Sequence, residues 1–287
     1  MNEPVVVGVD GSDAAEHAAV WAANEAVRRG SPLVLVHIVR WPVYEHMYLP
    51  SPSVTMDEAP LRRWAATMLK SLADVCRAVH PAVEVNTRVE VGVPAEALTA
   101  VEPHAAMVVV GAAGAGRLTR LFLGSTAAEL ARHSKPPVVV VRETDTSGGH
   151  VVVGVDGSPT SARAVDFAFE FAARHHAELV AVHAWSDVPL DEALHGEPVD
   201  GGTALQHAQR SLDLAIAGAV RRWPDVSVRD VAAIERPANV LLEQAQGASL
   251  LVVGSHGRGA LRRALLGSVS HTILHESPCP VAVLRAH

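Results

Sequence analysis

Two stretches of this chain place glycines and a serine at spacings suited to holding a phosphate. The first is Gly111-Ala112-Ala113-Gly114, followed nine residues later by Gly124-Ser125. The second is Gly254-Ser255-His256-Gly257, followed nine residues later by Gly267-Ser268. Both follow an apolar run. Gly111, Gly114, Gly254 and Gly257 remove side chains where a backbone would lie against ribose and phosphate. Each Gly-Ser then opens a helix-like segment, whose free N–H groups and positive dipole end suit an anion. The serine hydroxyl adds a hydrogen bond, and Arg117 and Arg258 in the intervening loops add charge. Neither phrase is a Walker A loop, since GxxxxGK[ST] is absent, and no GxGxxG follows either first strand. A glycine-rich turn without a ligand is the competing reading, and duplication would copy such a turn as readily as a site.

Asp10 and Asp156 also fall at strand ends. An aspartate there either hydrogen-bonds a ribose or holds Mg²⁺ through water, or forms an Asx turn that caps the next helix. His271 and His275 have helical spacing that could hold a metal, but they lack a zincin glutamate and an obvious third ligand, which reads as a surface or packing role. There is no Ser-His-Asp set and no phosphate-binding lysine. The only lysines are Lys70 and Lys135. These features favour binding over catalysis, with a slow nucleotide-hydrolysing or nucleotidyl-transferring enzyme as the alternative.

The elements that must position these residues occur twice. Val5–Ser12 (VVVGVDGS) returns as Val151–Ser158 at an offset of 146, and Pro94-Ala95 returns as Pro237-Ala238 at an offset of 143. A period this long means duplicated domains, expected over 1–143 and 150–287 with a polar boundary at Glu143–Gly149. Each half alternates β-branched runs with alanine-rich helical stretches. The runs are Val5–Val9, Leu33–Val39, Val83–Val91, Met107–Val110 and Val138–Val141, then Val151–Val155, Leu179–Trp185, Val226–Ile234, Leu250–Val253 and Val281–Leu284. This is an α/β pattern with parallel strands covered on both faces. Asp13-x-x-Glu16 predicts a capping box, Ser158-Pro159 a cap before a first-turn proline, and Gly30 a helix C-cap. Trp64, Met68 and Leu72 predict the buried stripe of the second helix. In an open parallel sheet, ligands sit at the carboxyl ends of strands where strand order reverses. That location gathers Gly8 to Ser12, Gly154 to Ser158, the ends of the second strands at His37-Ile38 and His183-Ala184, and both glycine phrases.

Composition bounds the rest. The chain has 287 residues, 49% hydrophobic and 19% charged, which suffices for ample core. A net charge of −7 argues against general nucleic-acid binding. No apolar run approaches a membrane span and a strand begins by Val5, so a cytoplasmic protein is expected. Cys76 and Cys279 make neither a disulfide framework nor a CxxC site. Short stretches near 45–60, 143–150 and 187–203 have the composition of disorder.

Together these pieces resemble the universal stress protein family in its tandem two-domain form. The likeness rests on the repeated Val-Val-Gly-Val-Asp-Gly-Ser, the histidine ending each second strand, both glycine phrases, and Ser277-Pro-Cys-Pro-Val-Ala-Val283. It covers essentially the whole chain, most specifically in half two. The resemblance implies two open parallel five-stranded sheets of order 3-2-1-4-5 flanked by helices, the Rossmann-like architecture of the adenine nucleotide alpha hydrolase type. It implies domains pairing through their last strands, ATP binding with Mg²⁺, and a regulatory role in stress response. Exposed final strands and duplication suggest a homodimer. Carried onto this chain, phosphate and ribose contacts fall on Gly8, Asp10, Gly111, Gly114, Gly116, Arg117, Gly124 and Ser125. In half two they fall on Gly154, Asp156, Gly254, Gly257, Arg258, Gly259, Gly267 and Ser268. The adenine edge would meet backbone at Ile38 and Ala184, and backbone at Val139 and Ala282 would close the ribose side. Half one departs from the family pattern with Ala112, Ala113 and Ala115 in place of polar residues, which raises the reading of a decayed first site. Half two has Glu235-Arg236-Pro237 where half one has Gly92-Val93-Pro94.

Overall fold

The computed structural model describes residues 2–40, 58–101, 103–113, 123–142, 149–185, 201–257 and 266–286. The chain divides into two compact units, Met1–Leu130 with Ser134–Val141, and Arg142–His287 with Ala131–His133. In the first half the order is β1 (Val5–Gly8), α1 (Asp13–Arg29), β2 (Leu33–Val39), α2 (Ala59–Val79), β3 (Val85–Val91), α3 (Pro94–Val101), β4 (Met107–Gly111), α4 (Ser125–His133) and β5 (Val138–Val141). The second half repeats it as β6 (Val151–Gly154), α5 (Pro159–His175), β7 (Leu179–Ala184), α6 (Gly201–Arg222), β8 (Val228–Ala233), α7 (Pro237–Gln244), β9 (Leu250–Gly254), α8 (Ser268–Glu276) and β10 (Val281–Leu284).

Strand order is β3-β2-β1-β4-β5 in one half and β8-β7-β6-β9-β10 in the other, so each half has the order 3-2-1-4-5. All described pairings are parallel. Val5 lies in register with Leu33 on one side and Met107 on the other, and Val151 with Leu179 and Leu250. The chain leaves β1 toward β2 and later returns to its other side as β4. This reversal splays the connecting loops apart and opens a crevice at the carboxyl ends of β1 and β4. The central strands are apolar throughout because helices cover both faces. Val5, Val6, Val7, Met107, Val108 and Val109 are fully buried. The edge strands β3 and β8 carry most of the exposed strand residues.

Helix ends follow local chemistry. The cap of α1 is Ser12, one residue before the predicted Asp13, and its hydroxyl accepts from the Ala15 N–H at 3.2 Å. Ser158 caps α5 in the same way through the Ser161 N–H, with Pro159 in the first turn as expected. Gly30 ends α1 in the left-handed region at φ 59°. His176 takes the matching place after α5 at φ 51°.

Of the predicted stripe of α2, Leu72 is buried and Met68 half-buried, and the expectation for Trp64 is corrected. Ala65, Leu69, Leu72, Ala73 and Cys76 are buried, whereas Trp64 is 54% exposed. The physical reason is that the face turned to the sheet is set by 65, 69, 72 and 76. Trp64 lies beside that face, with its indole edge-on to His37 at 5.5 Å between centroids. The stretches with disorder-like composition lie largely outside the described residues. Ala59 and Gly201 already begin helices.

Candidate functional site

A cleft opens at the strand-order reversal of each half. The cleft of half one, about 350 Å³, is lined on its apolar side by Val9, Ile38, Pro94, Leu98 and Val110. Gly8, Asp10, Gly111 and the start of α4 at Gly124, Ser125, Thr126 and Ala127 complete it. The cleft of half two, about 380 Å³, pairs Val155, Ala184, Pro237, Leu241 and Val253 with Gly154, Asp156, Gly254, Gly257 and the start of α8 at Gly267 to Ser270. Both volumes lie in the range of small-molecule sites, roughly 300–1,000 Å³. Each cleft thus has an apolar end and an end of backbone N–H groups.

The polar end is held in place by one backbone clasp, present in both halves. After β4, the Ala112 N–H donates to the Val141 carbonyl at 2.9 Å, and the Ala112 carbonyl accepts from the Gly124 N–H at 2.7 Å. After β9, the Ser255 N–H donates to Leu284 at 2.7 Å, and the Ser255 carbonyl accepts from Gly267 at 2.8 Å. The strand end, the last strand and the helix start are therefore tied at a single residue. No side chain caps α4 or α8. The Gly124 and Gly267 carbonyls are first used by the N–H groups of Ala128 and His271. The N–H groups ahead of these belong to the unpaired first turn of a helix, and the residues that carry them line the clefts.

The first glycine of each phrase has a reason of its own. A Cβ on Gly111 would lie 2.7 Å from the Ala14 carbonyl oxygen, and one on Gly254 would lie 2.8 Å from Thr160 Oγ1. Ala14 and Thr160 are equivalent positions in the first turns of α1 and α5. The absence of a side chain here lets that turn pack against the strand end. Gly257 differs, because its Cβ would meet the Asp156 carboxylate at 2.4 Å. Gly114, Gly116, Arg117, Arg258 and Gly259 lie outside the described residues.

Both aspartates make the Asx turn and also line the clefts. Asp10 Oδ1 accepts from the Ser12 N–H at 3.0 Å and from its hydroxyl at 2.6 Å. Asp156 Oδ1 accepts from the Ser158 N–H at 2.9 Å. The two histidines that end the second strands turn inward to the first strands. His37 Nδ1 lies 2.8 Å from the Val9 carbonyl and His183 Nδ1 2.6 Å from the Val155 carbonyl, each therefore the donor. They fix the strand ends and leave the following residues, Ile38 and Ala184, to line the clefts. Val139 and Ala282 are fully buried in β5 and β10, in register with Val109 and Val252, and stand apart from the cleft linings.

Sequence reasoning missed Leu98 and Leu241, which floor the clefts beside Pro94 and Pro237. Each lies four residues after the proline of the repeated Pro-Ala pair and shares that pair's offset of 143, which was the available signal. It also missed Arg40 in the first cleft. The linings differ where Ala113 and Ala15 in one half correspond to His256 and Ser161 in the other. His256 Nδ1 pairs with the Ser255 hydroxyl at 2.8 Å, and the His256 carbonyl accepts from the Thr160 hydroxyl. Glu235 is engaged by Asn239 at 3.4 Å and does not line the cleft.

The two cysteines take no part in the clefts. Burial pushes both thiols up to about 11, against the weaker opposing effect of Arg77 on Cys76 and of the Ser277 hydroxyl on Cys279. At pH 8 both are therefore protonated as well as buried. A thiol reagent at that pH is expected to label neither cysteine in the folded protein and both after denaturation. Rapid native labelling would contradict this.

The parallel sheet with a crevice at its switch point places each half in the class of doubly wound α/β folds. The universal stress protein family model matches residues 1–142 and again 149–285, and the chain belongs to this family in tandem form. A universal stress protein of Mycobacterium tuberculosis is 40% identical over 288 residues, which cover 98% of this chain and 96% of that one. A second from the same organism is 35% identical over 295 residues, covering 98% and 96%. Among solved structures, a universal stress protein from Archaeoglobus fulgidus superposes with a TM-score of 0.75 at 17% identity, covering 99% of this chain and 98% of that one, which shows the shared fold. Among the described residues, no helix is long and apolar enough to cross a membrane.

Proposed function

We propose that each half binds one adenine nucleotide, ATP with Mg²⁺, and that occupancy regulates the protein's contacts rather than feeding a reaction. The observation that carries this reading is the uncapped start of α4 and of α8, each facing a cleft whose other end is apolar. The base fits the apolar end, between Ile38 and Leu98 or between Ala184 and Leu241, where backbone groups reach its edge. The phosphates fit the N–H groups of Ser125 to Ala127 or Ser268 to Ser270. Asp10 and Asp156 stand between the two ends, where a carboxylate serves a ribose hydroxyl or a hydrated Mg²⁺. The described cleft residues include no lysine, the cation that many phosphoryl-transfer sites place on the phosphates.

Because the cradle is made of backbone, the alanines of half one leave it intact, and both clefts are expected to fill. Adding ATP and Mg²⁺ at about 100 times the dissociation constant stabilises a protein by about 2.7 kcal/mol. That corresponds to a rise of several degrees in melting temperature, which scanning fluorimetry reads. An unchanged melt across millimolar ATP, with no nucleotide extracted from purified protein, would contradict the reading.

A further inference from the structure

We propose that His271 and His275 form a bidentate surface site for a divalent transition metal that favours imidazole nitrogen. The two residues lie one turn apart on α8, and their rings come together with centroids 4.6 Å apart and planes inclined at 36°. A metal–nitrogen distance of about 2.0–2.1 Å puts each ring centroid roughly 3 Å from the ion. Two imidazoles sharing one ion at a tetrahedral angle then have centroids roughly 5 Å apart. The observed separation of 4.6 Å is close to that figure.

His271 is exposed and His275 half-buried, so water can reach the ion and complete its coordination. No group of three or more His, Cys, Asp or Glu side chains is placed to hold a metal among the described residues. The site is accordingly an open, two-nitrogen chelate, unlike a closed structural zinc centre. Its donor set selects Zn²⁺, Ni²⁺ or Cu²⁺ and disfavours Mg²⁺ and Ca²⁺, which require oxygen ligands. The chelate spans residues 271 to 275 of a helix that ends at Glu276, so a bound ion would pin the last turn of α8. The site does not depend on any nucleotide.

The test is calorimetric titration of the full, tag-free chain with Zn²⁺, alone and as the His271→Ala and His275→Ala variants. Each variant is expected to lose one equivalent of zinc, because one remaining imidazole is no chelate, and His175→Ala is expected to keep it. Circular dichroism checks that the variants stay folded, and a zinc-soaked crystal is expected to show an anomalous peak between the two rings. Absence of zinc uptake, uptake that both variants retain in full, or a peak only elsewhere overturns the proposal.

Discussion

Replacing Gly267 with valine is expected to empty the second cleft and leave the first one working. Gly267 sits at φ −64° and ψ 156°, extended backbone open to any residue, so the substitution is not opposed by dihedral strain. It is opposed by space. A Cβ there lies 3.2 Å from the His256 Cα and 3.6 Å from the Ser255 carbonyl oxygen, before the two valine methyls are counted. Relief requires opening the clasp between the Gly267 N–H and that carbonyl. The start of α8 then shifts away from the cleft, and its N–H groups lose their aim. Nucleotide affinity in half two should fall more than tenfold, about 1.4 kcal/mol or more. Affinity in half one should be unchanged. A titration in which Gly267→Val still binds nucleotide in both halves with native affinity would contradict this account of the cradle.

The second large effect is on stability. Gly111→Ala is expected to destabilise the first half, because the new methyl would lie 2.7 Å from the Ala14 carbonyl oxygen and 2.8 Å from its carbon. These are backbone atoms of the first turn of α1, which cannot rotate away. Overpacking of this kind costs about 1–3 kcal/mol, a large share of the roughly 5–15 kcal/mol that holds a domain folded. Urea unfolding of the variant should show a lowered midpoint with an unchanged slope. Native stability in Gly111→Ala would mean that α1 does not pack against the end of β4 as described.

The repeat made most of the architecture readable. Two copies of Val-Val-Val-Gly-Val-Asp-Gly-Ser and the continuously apolar runs located β1, β2, β4 and β5 and their counterparts to within a residue or so. These strands are buried on both faces and must be apolar at every position. The edge strands β3 and β8 were begun about two residues too early, because exposed strands carry weaker periodicity. Trp64 misled the assignment of α2 because its size suggests burial. The helix instead buries smaller residues one position along and leaves the indole against His37. The cap moved from Asp13 to Ser12 for a related reason. Adjacent polar residues compete for that role, and Asp10 draws Ser12 into the Asx turn that positions it.

The site was legible as spacing but not as cause. Gly111 and Gly254 were read as making room for a ligand; they line the clefts, and they also make room for Ala14 and Thr160. A sequence cannot distinguish the two, since both require the same missing side chain. Leu98 and Leu241 went unnoticed because a leucine in a short helix looks like ordinary core. The difference between Ala113 and His256 was visible, and the structure puts both residues in the linings of the two clefts.

The central claim is that one backbone cradle, built twice, holds one adenine nucleotide in each half. It is tested most directly by the number of ATP molecules bound per chain at saturating ATP and Mg²⁺, measured by calorimetric titration of protein stripped of nucleotide. The predicted result is two per chain. Binding of none, or of one that is lost in Gly267→Val without a second site appearing at any concentration, would contradict it.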